Sequence, residues 1–132
     1  MDLIKIIRSL NQIIRYKYYY SSPYPTFKMS ESMHTYHRAT SYEHLALNQH
    51  DPLDLDQLLS EKIQKYQRNA IWYFLHSALK GYSTAQYKLG MIYLQGQLGL
   101  SPDKKNAYKW LLLAANQGHL EAQHQLYRLY LQ

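Results

Sequence analysis

Residues 69–95 read NAIWYFLHSALKGYSTAQYKLGMIYLQ, and residues 106–132 read NAYKWLLLAANQGHLEAQHQLYRLYLQ. The two segments lie 37 residues apart and share 11 identities in 27 aligned pairs. A period of this length is typical of helical repeat arrays, in which each unit buries its apolar side against its neighbours. We therefore predict an all-α chain, with residues 31–132 forming a short α-solenoid of antiparallel helix pairs.

Spacing and end signals predict two helices within the clearest unit. The second helix is predicted over 102–117, with Ser101-Pro102-Asp103 as its start, Ser101 as N-cap and Gly118 as its stop. The preceding helix is predicted over 83–95, followed by a turn at Gly96 and Gly99. Small residues on both helices should let their axes approach closely. The two apolar stripes consist of Ala85, Leu89, Ile92 and Tyr93, and of Ala107, Trp110, Leu111, Ala114 and Ala115.

Upstream of this unit the pattern is less regular. A helix over 31–50, beginning near Ser30 or Ser32, and a single long helix over 53–80, ended by Gly81, are predicted. The alternative for the long helix is a kink near 67–69. The resulting organisation is a degenerate first repeat over 31–81, a clear repeat over 82–118 and a terminal capping helix over 119–132.

A known repeat has the same residues at the same spacing. Its signature positions here are Ala85-Gln86-Tyr87-Lys88-Leu89-Gly90-Met91-Ile92-Tyr93, Gly96, Gly99, Asp103, Ala107, Trp110, Ala114, Ala115, Gly118, Ala122 and Gln123. This pattern closely resembles the Sel-1-like repeat, a relative of the tetratricopeptide repeat. The resemblance covers roughly half of the chain strongly and implies a right-handed superhelix of the tetratricopeptide type.

The sequence departs from the repeat pattern at two positions. The turn Gly96-Gln97-Leu98-Gly99 has one residue more between its glycines than the usual motif. Tyr127 stands where the motif has a glycine, so we expect no neighbour to pack closely on that side of the last helix.

The composition excludes several classes of site. The chain of 132 residues has no cysteine, which excludes a disulfide framework, a thiol nucleophile and a cysteine zinc site. The sequence contains no phosphate loop, nucleophile elbow or histidine–glutamate metal motif, so we predict neither an enzyme nor a cofactor. Absence of cysteine fits a reducing compartment, and we expect a cytoplasmic protein.

The basic character lies at the N-terminus. The net charge is +6, and residues 1–30 carry +4 of it. Residues 1–18 are predicted to form an amphipathic helix that caps the solenoid, binds a membrane surface or pairs with a second copy. A linker rich in tyrosine, proline and serine follows to residue 30, and its tyrosines could pack on the repeats or stack on bases.

Four of the seven histidines lie in residues 31–50. On a helix, His34, His37 and His44 would project within about 80° of one another. Their spacing is not i, i+4 and no carboxylate lies clearly on that face, so we predict no metal site.

The resemblance to tetratricopeptide repeats assigns groove positions on the concave face of the array. We expect a protein or peptide to bind there, as it would to an adaptor or scaffold. The alternative is a peripheral membrane or nucleic-acid binder that acts through residues 1–28, although the sequence disfavours nucleic acid; a homodimer also stays open. The predicted binding residues are Tyr87, Lys88, Met91, Gln95, His124, Gln125 and Arg128, and Thr84, Glu121 and Gln132 share their face.

Overall fold

The computed structural model describes residues 30–48 and 56–132. These residues form five helices and no strand, which confirms the all-α class: α1 (Glu31–Leu47), α2 (Asp56–Leu79), α3 (Ser83–Gln95), α4 (Lys104–Asn116) and α5 (Leu120–Leu131). The predicted N-terminal helix over 1–18, the linker up to residue 29 and the predicted first residues of the long helix, 53–55, lie outside the described residues.

Each helix packs on the next one along the chain, as expected for a helical repeat array. Short connections between packed neighbours make consecutive helices antiparallel, so α1, α3 and α5 run in one direction. We call these three the first helices, because α1 and α3 each begin a helix pair and α5 is the equivalent of α3 in the 37-residue register. The handedness of the superhelix and the division into repeats stay predictions.

The core is built largely from alanine, because helices with small side chains at their contacts can approach closely. Phe74, Leu89 and Ile92 are its largest members between α1, α2 and α3, and they are completely buried. A second cluster lies between α3, α4 and α5 and is centred on Leu111, Ala114 and Ala122. The remaining members of the first cluster are Ala39, Ala70, Ala78 and Ala85.

The helices α3 and α4 lie in close contact at Gly90. A Cβ atom at this position would lie 2.8 Å from Leu111 Cγ and 3.2 Å from the backbone nitrogen of Leu111. No side chain fits there without moving α4, which confirms the predicted role of a small residue.

The helix pair α1–α2 is joined at its end by polar contacts. Ser30 is the N-cap of α1, and its Oγ accepts a hydrogen bond from the backbone nitrogen of Met33 at 3.3 Å. Ser77 Oγ, which is buried, donates to the carbonyl oxygen of Ser32 at 2.6 Å.

The helix α2 continues through residues 67–69 without interruption, so the predicted single long helix is confirmed over the described residues.

The predicted start of α4 is wrong by two residues. Asp103, not Ser101, is the N-cap: its carboxylate accepts from the backbone nitrogen of Asn106 at 3.0 Å, and α4 begins at Lys104. Pro102 instead packs against the turn, since a Cβ on Gly96 would lie 2.6 Å from Pro102 Cδ. The Asp103 backbone N–H donates to the carbonyl oxygen of Tyr93 at 2.7 Å, which fixes the connection to α3.

The extra residue in the turn has a structural role. Leu98 has a positive φ of 55°, which non-glycine residues rarely adopt, between Gly96 and Gly99 with φ of 67° and 79°. Its side chain packs against the first core cluster. We infer that this apolar contact holds Leu98 in the left-handed region.

The same side-chain hydrogen bond occurs in both copies of the repeat. Gln86 Nε2 donates to the carbonyl oxygen of Ala78 at 3.1 Å, and Gln123 Nε2 donates to that of Ala115, also at 3.1 Å. Both bonds reach back eight residues, from the start of a first helix to the end of the helix before it. The identity of the two glutamines therefore reflects a shared tertiary contact, which satisfies a carbonyl near a helix C-terminus.

Candidate functional site

The first helices α3 and α5 are joined through an aromatic pair. The ring of Tyr87 on α3 stacks on the imidazole of His119, with centroids 4.7 Å apart and planes inclined by 22°. His119 directly precedes α5, so this contact positions the N-terminus of α5 beside α3. Met91, one turn after Tyr87, packs against the same second core cluster.

His119 also caps α5. Its Nδ1 accepts a hydrogen bond from the backbone nitrogen of Ala122 at 3.4 Å, which requires Nδ1 to carry no proton. The carboxylate of Glu121 lies 3.3 Å from the same nitrogen. Nδ1 cannot accept from Ala122 and donate to Glu121 at the same time, so these two contacts are alternatives.

A second connection joins α1 to α3. Lys88 Nζ lies 2.8 Å from Glu43 Oε1, and both side chains are largely covered. The same ammonium group lies 5.8 Å from the ring centroid of Phe74. The charge of Lys88 is thus engaged within the fold, where it holds adjacent first helices together.

Of the seven predicted binding residues, four are half-buried and three are exposed. Tyr87, Lys88 and Met91 are half-buried and contact neighbouring helices, so they also position the first helices. Gln125 is half-buried on α5. The side chains of Gln95, His124 and Arg128 are exposed to solvent.

Sequence reasoning missed two residues that shape this face, Glu43 and His119. His119 aligns with Tyr82 in the 37-residue register, and each residue precedes a first helix. Tyr82 also packs on an aromatic residue of the preceding first helix, Tyr36, at 5.4 Å. Burial, followed by smaller contributions from Tyr82 and Glu43, raises the pKa of Tyr36. The sequence carries one signal for His119, because an aromatic ring occurs at both equivalent positions, Tyr82 and His119.

A second exposed surface runs along α2. Trp72 is more than half exposed and stacks on the His76 imidazole, with centroids 5.1 Å apart and planes inclined by 8°. Lys62, Lys65 and Arg68 line a shallow depression about one to three turns away on the same helix. Because these lining side chains belong to one helix, no convergent set of groups surrounds a ligand position.

The described residues contain neither a metal-binding cluster nor a membrane-spanning helix. His34, His37 and His44 are all exposed on α1, and residues 30–48 and 56–132 hold no group of three potential ligands. Within the same ranges, the helices are too short or too polar to cross a bilayer.

The segment that contains α3, Gly90, the glycine turn and α4 matches the family model of the Sel1 repeat over residues 83–119. The chain contains a Sel1 repeat. The match begins at the first residue of α3 and ends at the His119 cap of α5. No curated protein and no solved structure matches the chain. Sel1 repeats are generally protein-interaction modules and are typically non-enzymatic.

Proposed function

We propose that this chain is a protein-interaction adaptor that binds an extended segment of another protein across α3 and α5. The proposal depends mainly on one observation, the stacking of Tyr87 on His119, which joins the N-terminus of α5 to α3. Parallel neighbouring helices offer regularly spaced side chains to a chain that crosses them. The presence of a Sel1 repeat supports a protein as the partner.

The exposed Gln95 and Arg128 and the half-buried Gln125 suit a peptide that carries an acidic group. Gln95 and Gln125 can each donate to and accept from a peptide backbone. Arg128 is exposed and can bind a carboxylate through two parallel hydrogen bonds. Lys88 is paired with Glu43, so Arg128 is the better candidate for a partner's carboxylate.

The test is affinity capture from a lysate of the native host, with eluates identified by mass spectrometry. The variant Gln95→Ala/Gln125→Ala removes the two amides without touching Tyr87 or Lys88. Its matched control is Gln64→Ala/Asn116→Ala, which removes two exposed amides from α2 and α4. We expect the first variant to lose a partner that the wild type and the control retain, with helical circular dichroism unchanged. Equal recovery by all three proteins would contradict the proposed surface.

A second candidate function is binding of an anionic surface, membrane or nucleic acid, through residues 1–28. The charge of +4 over residues 1–30 supports it. Such binding should weaken steeply as salt rises, because exposed charges are screened over about 8–10 Å at physiological ionic strength. Replacing Lys5, Arg8, Arg15 and Lys17 by glutamine should abolish it and leave capture of a protein partner intact. We further propose a cytoplasmic location, which the lack of cysteine supports.

A further inference from the structure

The outward face of α5 carries an exposed apolar stripe. Leu120, Tyr127 and Leu131 are 67%, 65% and 65% exposed, and His124 between them is exposed as well. These residues stand at i, i+4, i+7 and i+11, which is the spacing of the seam positions in a two-helix coiled coil. At 100° per residue they fall within a stripe about 60° wide.

The flanks of this stripe carry charges with a defined pattern. Glu121 and Arg128 each follow a seam residue directly, so both lie along the same edge. When two copies of α5 pack antiparallel about a two-fold axis, equivalent edges meet. Glu121 of one copy then lies across from Arg128 of the other, twice over. The seam itself is also self-complementary, with Leu120 opposite Leu131 and His124 opposite Tyr127.

Both charges are available for such a contact. The Glu121 side chain is 70% exposed, although its carboxylate also lies 3.3 Å from His119 Nδ1, and Arg128 has no ion pair among residues 30–48 and 56–132. Each also lies at the favourable end of α5, the acid in the first turn and the base in the last. Both charges are therefore already favourable in a single α5 helix, before two copies meet.

A further repeat cannot cover α5 in the way that α4 covers α3. Tyr127 occupies the position of Gly90 in the 37-residue register, and Gly90 already has Leu111 at the limit of contact. A helix over Tyr127 must stay further from the α5 axis, as a coiled-coil partner with interlocking side chains does. This excludes a close-packed Sel1 helix as the occupant and permits a second α5.

We propose that two copies of this chain associate through antiparallel packing of α5 on α5. The contact involves one helix of 12 residues from each copy, which is small compared with stable protein interfaces. The dimer is therefore concentration-dependent rather than obligate. The seam and its flanks share His124 and Arg128 with the predicted binding residues, and Glu121 lies on the same face, but the inference otherwise goes beyond that function.

The test is sedimentation of the full chain over a concentration series, using two single variants and their mixture. Glu121→Arg places arginine across from Arg128, and Arg128→Glu places glutamate across from Glu121, so neither variant should associate alone. Mixed in equal amounts, they restore two opposite-charge pairs in a heterodimer. We expect the wild type and the mixture to reach twice the 15.7 kDa chain mass, and each variant alone to stay at 15.7 kDa.

Three results would overturn the proposal. These are a wild type that stays monomeric up to about 1 mM, single variants that associate as the wild type does, and a mixture no heavier than its components. Tyr127→Asp, which places a charge on the seam, should also give a monomer. Lys109→Glu on the exposed side of α4 makes the same charge change as Arg128→Glu and should leave the dimer intact.

The two proposals fail in different ways. Gln95→Ala/Gln125→Ala changes no seam or flanking residue, so it should lose the captured partner and still form the dimer. A monomeric wild type that captures a partner would contradict the proposed dimer and leave the proposed peptide surface standing. A dimeric wild type, together with partner capture that Gln95→Ala/Gln125→Ala does not reduce, would contradict the peptide surface and leave the dimer standing.

Discussion

The helices α3 and α5 have the same register and different surroundings. Ala85 and Ala122 are both completely buried, and the glutamines that follow them make equivalent hydrogen bonds. On the outward side, by contrast, Gly90 lies in contact with α4, whereas Tyr127 faces solvent. Most of the residues that are identical in the two copies pack within the fold. The residue that differs, Gly90 in α3 and Tyr127 in α5, decides whether another helix can pack closely.

Shared identity does not by itself imply shared burial. Tyr93 is half-buried against the first core cluster, while Tyr130, its equivalent, is almost fully exposed. The sequence repeats the residue, but only α3 has a following helix among the described residues to cover it. The α5 surface therefore contains apolar groups whose equivalents in α3 are internal.

Gly90 and Tyr127 are equivalent in the 37-residue register, and giving each the residue of the other should produce the largest difference in stability loss between α3 and α5. We expect Gly90→Tyr to cost about 3 kcal/mol or more of unfolding free energy, because the side chain must displace α4. Tyr127→Gly should cost only about 0.5 kcal/mol, the difference in helix propensity between tyrosine and glycine. Urea unfolding followed by circular dichroism measures both. Similar losses at the two positions would show that α5 is covered as α3 is.

Truncating the equivalent leucines should give the next largest contrast. Leu89 is completely buried, and Leu89→Ala should cost about 2–5 kcal/mol because it leaves a cavity. Leu126 is half-buried, so Leu126→Ala should cost about half as much or less. Thermal melts of the two variants provide the measurement, and a larger loss for Leu126→Ala would reverse the comparison.

The shared glutamines should differ by a smaller amount. Gln86→Ala leaves the carbonyl of Ala78 without its buried partner, at a cost of about 1–3 kcal/mol. Gln123 is exposed, and water can replace its side chain, so Gln123→Ala should stay within about 0.5 kcal/mol of the wild type. Equal effects in denaturant unfolding would mean that the hydrogen bond is equally buried in both copies.

The smallest effect should be a pH dependence at the N-terminus of α4, where the cap is a carboxylate rather than the imidazole that caps α5. The hydrogen bond from the backbone N–H of Asn106 lowers the pKa of Asp103 from its ordinary value of 3.8. A lowered folded-state pKa stabilises the fold above the unfolded value, and this stabilisation disappears as pH falls through the folded value.

Asp103→Asn keeps a capping group but cannot titrate. Its stability relative to the wild type should therefore improve as pH falls below about 4, as measured by urea midpoints at a series of pH values. The Glu31 carboxylate, whose pKa is lowered mainly by its hydrogen bond to Lys80, is present in both proteins and cancels in the comparison. A difference that stays constant with pH would contradict the assignment of the cap.

The sequence predicts most of the repeat because its signals are local or periodic. The bounds of α3 and the small residue at Gly90 follow from spacing. The cap of α4 does not, since Ser101 and Asp103 are both good N-caps and the choice depends on Pro102 packing against Gly96. A tertiary contact thus decides between two equally favourable local signals.

The candidate site was less predictable than the fold. Helical spacing identifies the exposed faces of α3 and α5, and it correctly predicts that Gln95, His124 and Arg128 are exposed. It cannot reveal that Lys88 pairs with Glu43 on α1, because the pair connects helices with no shared periodic signal. The exposure of Trp72 on α2 was also not predicted, because a tryptophan within an apolar helical segment is usually buried.

The most direct test of the interaction surface is amide hydrogen exchange of the chain with and without its captured partner. The proposed function predicts added protection in α5 and in the second half of α3, with the outer face of α2 around Trp72 unchanged. The dimer is measured separately, by dilution of the chain alone. Protection confined to α2 or to residues 1–28 would contradict the assignment of binding to the first helices.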